Sequence, residues 1–394
     1  MSLRRVARSE AGGGYGPGIR ERRRGRSCNV AVAKSALSRT LTDMRNALPY
    51  TLAYLGTLPV FATPPLHAGP GSAVLGRVTV GRNAWLGALS VMRADGHFVR
   101  VGDDFHVGPR STLHINHEIF PCIVGDRVSV GANACVHACT VGSDVVIGDD
   151  VVILDGAVVE DNVVLEAGSC VFPNKKMPGG FVYAGSLARP VRPVEPSEIA
   201  ERRRRMATEQ FGDAAPAAAS GMSGASEVHA SVFVANTASI SGRLVAGESA
   251  SIWFGNRFDA GEATISIGAR TNIQDNTVIR CTTQQGVSIG PDSTVGHNVT
   301  LGDCRVGGGS LIGIGSTVAP GTIVEDRVLL AASARTIPGQ ILESGWMYGG
   351  NPARQMSRLD AGKHTLIDII IGQYCEYARN FQAAARAAST ATRT

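Results

Sequence analysis

Aromatic residues are scarce, making up 5% of the 394 residues. That excludes large aromatic side chains as the main source of apolar burial. The eight cysteines include no C-x-x-C pair. This argues against a disulfide framework or cysteine zinc site and for a reducing compartment. No uninterrupted apolar run reaches the roughly 20 residues a membrane-spanning helix needs. Acidic residues are nearly missing from residues 1–40, where nine arginines and Lys34 face only Glu10 and Glu21. The rest of the chain is close to neutral, so the domains give no support to nucleic-acid binding.

Glycine and short aliphatic residues are abundant, and they are ordered. Between Val124 and Val171 an aliphatic residue opens each block, at Val124, Val130, Val136, Val141, Ile147, Ile153, Val159 and Leu165. The step is six residues except for five between Val136 and Val141, and His137 sits in that short step. A six-residue aliphatic period predicts a parallel β-helix, in which stacked strand-and-turn units bury one apolar column. Forty-eight glycines suit the turns.

The ladder occurs twice. Its second copy opens at Ile289, Val295, Leu301, Val306, Ile312, Val318, Val324 and Leu330, each 165 residues after its counterpart, short step included. The expected organisation follows from this. Residues 1–40 read either as a mitochondrial presequence or as a disordered basic tail. Residues 41–66 are a largely apolar strap or interfacial segment. One β-helix domain covers residues 67–210, a small-residue linker 211–227, and a second β-helix domain 228–394 with a C-terminal helix. Ser197, Glu198 and Glu201 predict a helix start after the first β-helix. Residues 361–388 predict a second helix with Leu366, Ile369, Ile370 and Tyr374 on one face.

Other motifs recur. Trp253-Phe254-Gly255 answers Trp85-Leu86-Gly87, and Arg257-x-Asp259 answers Arg93-x-Asp95. An arginine and an aspartate two apart on a strand share a face. Arg93, Asp95, Arg257 and Asp259 are therefore expected to form salt bridges between neighbouring copies. Gly350-Asn351-Pro352-Ala353-Arg354 answers Gly185-Ser186-Leu187-Ala188-Arg189.

Together with Asn272-Ile273-Gln274-Asp275, Gly296-His297 and Val136-His137-Ala138-Cys139-Thr140, these motifs resemble the γ-class carbonic anhydrases and their relatives in the hexapeptide β-helix superfamily. The resemblance spans roughly residues 67–210 and 228–385. It implies a mainly β fold of two tandem left-handed parallel β-helix domains, each followed by a C-terminal α-helix. The handedness comes only from the resemblance. It further implies trimers with zinc at subunit interfaces. Each ion takes two histidines from one subunit and one from the next, beside a glutamine that orients a bound water. Three imidazoles and an open fourth position is also what zinc hydration chemistry requires. Iron and cobalt suit the same donors.

Carried over residue by residue, the resemblance splits the ligands between the two copies. The first copy keeps His114 and His137, but has Ala132 where the donated histidine should be and Gly108 at the glutamine position. The second keeps His297 and Gln274, but has Arg280 and Gly302 at the other two histidine positions. One composite zinc site per chain is therefore expected, from His114, His137 and His297 with Gln274 beside it. The other candidate interface would hold Arg280, a cation where a metal should lie.

Three readings follow. One is a carbonic anhydrase hydrating carbon dioxide to bicarbonate. Another is a silent assembly subunit of a heterotrimer on the matrix side of mitochondrial complex I, peripheral to the inner membrane. The third is a hexapeptide acyltransferase, which no coenzyme A or acyl-carrier motif supports. A closed ring needs three domains and this chain brings two, so either a third γ-class domain or subunit completes it or several chains share domains between rings.

Overall fold

The computed structural model describes residues 48–212, 221–224 and 226–391. The readings made for residues 1–40, and for 41–47 of the apolar strap, lie outside the described residues. The chain folds into parallel β-helix from both of its sequence repeats. Cys135 pairs with Val152 and Val152 with Cys170, so one circuit takes 17 or 18 residues. The first repeat forms sheets of twelve and eight strands, the second sheets of eleven and eight. Among the named strands, pairing is parallel except in the closing hairpins, Phe181–Ala184 with Arg189–Pro193 and Trp346–Gly349 with Arg354–Arg358.

The hexads explain this architecture. All eight aliphatic positions of each ladder are at most 2% exposed and line the two cores. Turns between faces need a left-handed backbone residue. Asn133, Asp150 and Asn298 supply it at φ 53°, 56° and 57°, because Asn and Asp tolerate that region better than other residues with a Cβ. The turns also stack. Asn133 Nδ2 donates to Asp150 Oδ1 at 2.6 Å, one coil on.

Tyr50–Leu52 and Val60–Phe61, from the expected strap, pair in parallel with Ala73–Val80. Gly221–Ser223 and Ser226–Val228, from the expected linker, pair with Ser239–Ala246. Helix α1, Glu198–Gly212, covers Val146, Val164 and Val182 with Ile199 and Met206. Its Arg202 holds Glu166 at 2.7 Å and Glu198 at 2.8 Å. All seven described cysteines are unpaired, and Cys135 and Cys170 are fully buried. No described helix is long and apolar enough to cross a membrane.

Among the described residues, two apolar clusters join the repeats. Cys135, Val152 and Cys170 face Ile314 and Ala332 of the second repeat. Leu52, Tyr54, Leu75 and Val91 meet Phe233, Trp253 and Phe254 under helix α2, Ala361–Ala391. Of the face expected from sequence, this cluster buries Tyr374 and packs against Ile370, and turns Leu366 and Ile369 out. Ile367, Ile371, Tyr374, Tyr377 and Phe381 are buried, whereas Leu366 and Ile369 are 49% and 51% exposed. The aromatic positions set the rotation because they bury the most area.

The register also corrects two motif equivalences: Ser251, not Trp253, takes the place of Trp85, since Ser251 lies opposite Asn272 as Trp85 lies opposite His106. Val91–Val101 opens with Val91 opposite Thr112, and its counterpart Arg257–Ile267 opens with Arg257 opposite Val278. Arg257 therefore takes the place of Val91, and Asp259 that of Arg93. The two Arg-x-Asp motifs are offset by two residues and do not play the same part.

Candidate metal centre

His114 and His137 end adjacent parallel strands, and the register pairs them directly. His297 comes from the second repeat, in the turn just after Thr294–Val295. His114 is 2% exposed and His297 fully buried. One nitrogen from each of the three rings lies within 4.8 Å of the others.

Each ring faces its own carboxylate. His114 Nε2 lies 2.9 Å from Asp95 Oδ1, and His137 Nδ1 2.5 Å from Asp155 Oδ1. His297 Nδ1 lies 3.1 Å from Asp275 Oδ2, without the alignment of a hydrogen bond. A carboxylate behind an imidazole fixes its tautomer and turns the other nitrogen inward. The inward atoms are then His114 Nδ1, His137 Nε2 and His297 Nε2. The first two are 3.2 Å apart.

Arg93 ties two of these carboxylates together. It is fully buried, bonds Asp95, and reaches Asp275 Oδ2 at 2.9 Å across the repeat boundary. Its guanidinium stacks 4.3 Å over the Trp253 ring and donates to the Tyr374 hydroxyl at 3.0 Å. That hydroxyl lies 3.4 Å from His297 Nε2. Asp155 accepts from Asn116 Nδ2 at 2.6 Å.

Burial sets the charges. It holds His114 well below the ordinary histidine value, with Arg93 adding to the effect. It takes His297 to about 4 against the opposing pull of Asp275. Both rings are therefore neutral near pH 7, which is the metal-binding form. Burial alone would raise Asp275, but Arg93 and His297 hold its carboxyl below the usual range. Burial would likewise raise Asp155, and His137 and Asn116 outweigh it. Three inward nitrogens, each backed by a carboxylate and with no fourth protein ligand in the group, fit an open-sited divalent ion such as zinc.

Gln274 is 6% exposed, donates to Asn272 Oδ1 at 3.2 Å, and lines the cavity that His114 and His137 also line. Arg280 and Asp259 are exposed and Arg257 is half-buried. Asp155, Asn116 and Tyr374 join the site although no motif of the sequence marks them as ligands or their supports. Asp155 had a signal, since it is an acid one coil beyond His137. Tyr374 had none that periodicity could supply.

A hexapeptide-repeat family, described as the hexapeptide repeat of succinyl-transferase, matches residues 138–173. The chain is 36% identical to Gamma carbonic anhydrase 2, mitochondrial, of Arabidopsis thaliana over 135 residues, 32% of this chain and 48% of that protein. Protein YrdA of Escherichia coli is also 36% identical, over 33% of this chain and 73% of its own length. The chain belongs to the γ-carbonic anhydrase-like family of hexapeptide-repeat proteins. It is a tandem fusion of two copies. A Geobacillus kaustophilus protein named carbonic anhydrase is 38% identical over 23% of this chain and 50% of its own length. The chain spans about half the length of the Arabidopsis relative.

Proposed function

We propose that His114, His137 and His297 hold one divalent ion per chain, zinc first among the candidates, and that this centre reversibly hydrates carbon dioxide. The observation that carries the reading is the convergence of three imidazole nitrogens within 4.8 Å, drawn from both repeats. Zinc, when bound to three imidazoles, brings a coordinated water to a pKa near neutrality. The chain's own residues do the rest. Asp95, Asp155 and Asp275 orient the rings, and Arg93 locks Asp95 and Asp275 against each other. Gln274 stands at the cavity wall with a side-chain amide suited to orient a water. Relatives named carbonic anhydrase support the substrate.

A second reading is favoured by the asymmetry of the copies. Only one set of ligands survives, and in the copy that keeps His114 and His137 a glycine, Gly96, follows Asp95. In this reading the chain is an assembly subunit, with turnover low or nil. The exposed Asp259 and Arg280 would face a third γ-class domain that closes the ring. The relative named as mitochondrial suggests the mitochondrial matrix, and the membrane arm of complex I is the proposed docking partner there. Zinc analysis of the full chain combined with stopped-flow carbon dioxide hydration separates the readings. Stoichiometric zinc with turnover supports the enzyme. Zinc without turnover supports the assembly subunit. Absence of zinc defeats the metal centre in either.

A further inference from the structure

The cavity beside the histidines is larger than the proposed reaction needs. It measures about 430 Å³, which falls in the range of sites for drug-sized ligands. Carbon dioxide and bicarbonate would leave most of it unfilled. His114, His137, Gln274, Asn116 and Asp155 are among its polar lining. Apolar side chains of both repeats line the same cavity, Leu154 from the first and Leu311, Ile314 and Leu329 from the second. Leu366 and Ile369 of α2 form its lip. These two side chains are the ones left about half exposed by the rotation of α2. Large aliphatic side chains left open beside a polar centre gain free energy when a ligand covers them.

Bicarbonate is a carboxylate carrying a hydroxyl. Replacing that hydroxyl with an alkyl chain keeps the head and adds a tail. The histidines and the apolar side chains line one cavity, so a head at the former leaves the latter for a tail. We propose that this centre binds linear monocarboxylates, with the carboxylate at the histidines and the alkyl tail along Leu311, Ile314, Leu329, Leu366 and Ile369. For the head group this rests on the metal reading above; the tail site does not depend on it. Such a ligand competes with bicarbonate, so hydration at the centre answers to the supply of apolar acids.

The test is calorimetric titration of the full chain with sodium acetate and sodium octanoate, zinc-loaded and zinc-stripped, with zinc content measured separately. Burial of each methylene is worth roughly fourfold in affinity, so octanoate should bind more than about tenfold tighter than acetate even if the tail is only partly covered. L366S and I369S alter exposed side chains. Each should weaken octanoate several-fold while acetate affinity and zinc content stay as they were. L329W, which fills the groove, should do the same more strongly. Octanoate binding no tighter than acetate, with zinc present, overturns the groove and leaves the metal centre standing. A chain that takes up no zinc but keeps an octanoate preference sensitive to I369S defeats the metal reading and supports the groove.

Discussion

Arg93 Nε lies 2.9 Å from Asp275 Oδ2, although 182 residues separate them. Both side chains are fully buried. Asp275 also stands behind His297, and Arg93 bonds Asp95, which stands behind His114. One guanidinium thus couples the two repeats and aligns two of the three rings.

Asp275→Asn should therefore act twice. It leaves a buried arginine short of countercharge, which costs about 3–5 kcal/mol when a buried pair is broken. It also removes the support of His297, which should lower metal affinity by about 10–100-fold. Chemical denaturation of the metal-free chain reads the first effect, and competition against a chelating dye reads the second. Unchanged stability would show that the pair does not hold the repeats together.

Asp155→Asn should separate these effects. Asp155 is 29% exposed and supports His137 without Arg93. Metal affinity should fall by about 10–100-fold, with a stability loss well below that of Asp275→Asn. Equal losses of stability in the two variants would contradict the separate roles given to these carboxylates.

Tyr374→Phe removes the hydroxyl that accepts from Arg93 at 3.0 Å and lies 3.4 Å from His297 Nε2. Leaving a buried donor unsatisfied costs about 1–3 kcal/mol. His297 loses only a long contact on its inward nitrogen, so metal affinity should be retained. A large loss of metal in this variant would make Tyr374 part of the centre rather than of its support.

The sequence showed the coil period, the duplication and the histidines because these are local or recur at a fixed spacing. Val124 to Leu165 and Ile289 to Leu330 are the cores, and the short step after Val136 does carry a ring of the cluster. What it did not show depends on packing. Arg257-x-Asp259 resembles Arg93-x-Asp95 in letters, but strand pairing shifts it by two positions. The rotation of α2 follows from aromatic burial against both repeats, so Leu366 and Ile369 fall on the open side. Asp155 and Tyr374 reach the site through stacking and helix docking, which no single-strand pattern encodes.

Helix α1 gives a pH prediction away from the centre. Hydrogen bonds from Arg192, with help from Arg202, take Glu198 from 4.5 down to about 2. A depressed carboxyl stabilises the fold above its unfolded value, and that stabilisation is lost as pH falls through the folded one. The anchor of α1 is therefore intact at neutral pH and weakens between about 4.5 and 2. E198Q should be less stable than the natural chain at pH 6, and the difference should shrink towards pH 2. A constant difference across that range would contradict the assignment.

The most direct test of the composite centre is metal content of the full chain beside its H114A and H297A variants, purified alike and dialysed against zinc. One equivalent in the natural chain, lost in both variants, is the expected result. Zinc retained in H297A, or absent from the natural chain, would contradict a centre built from both repeats.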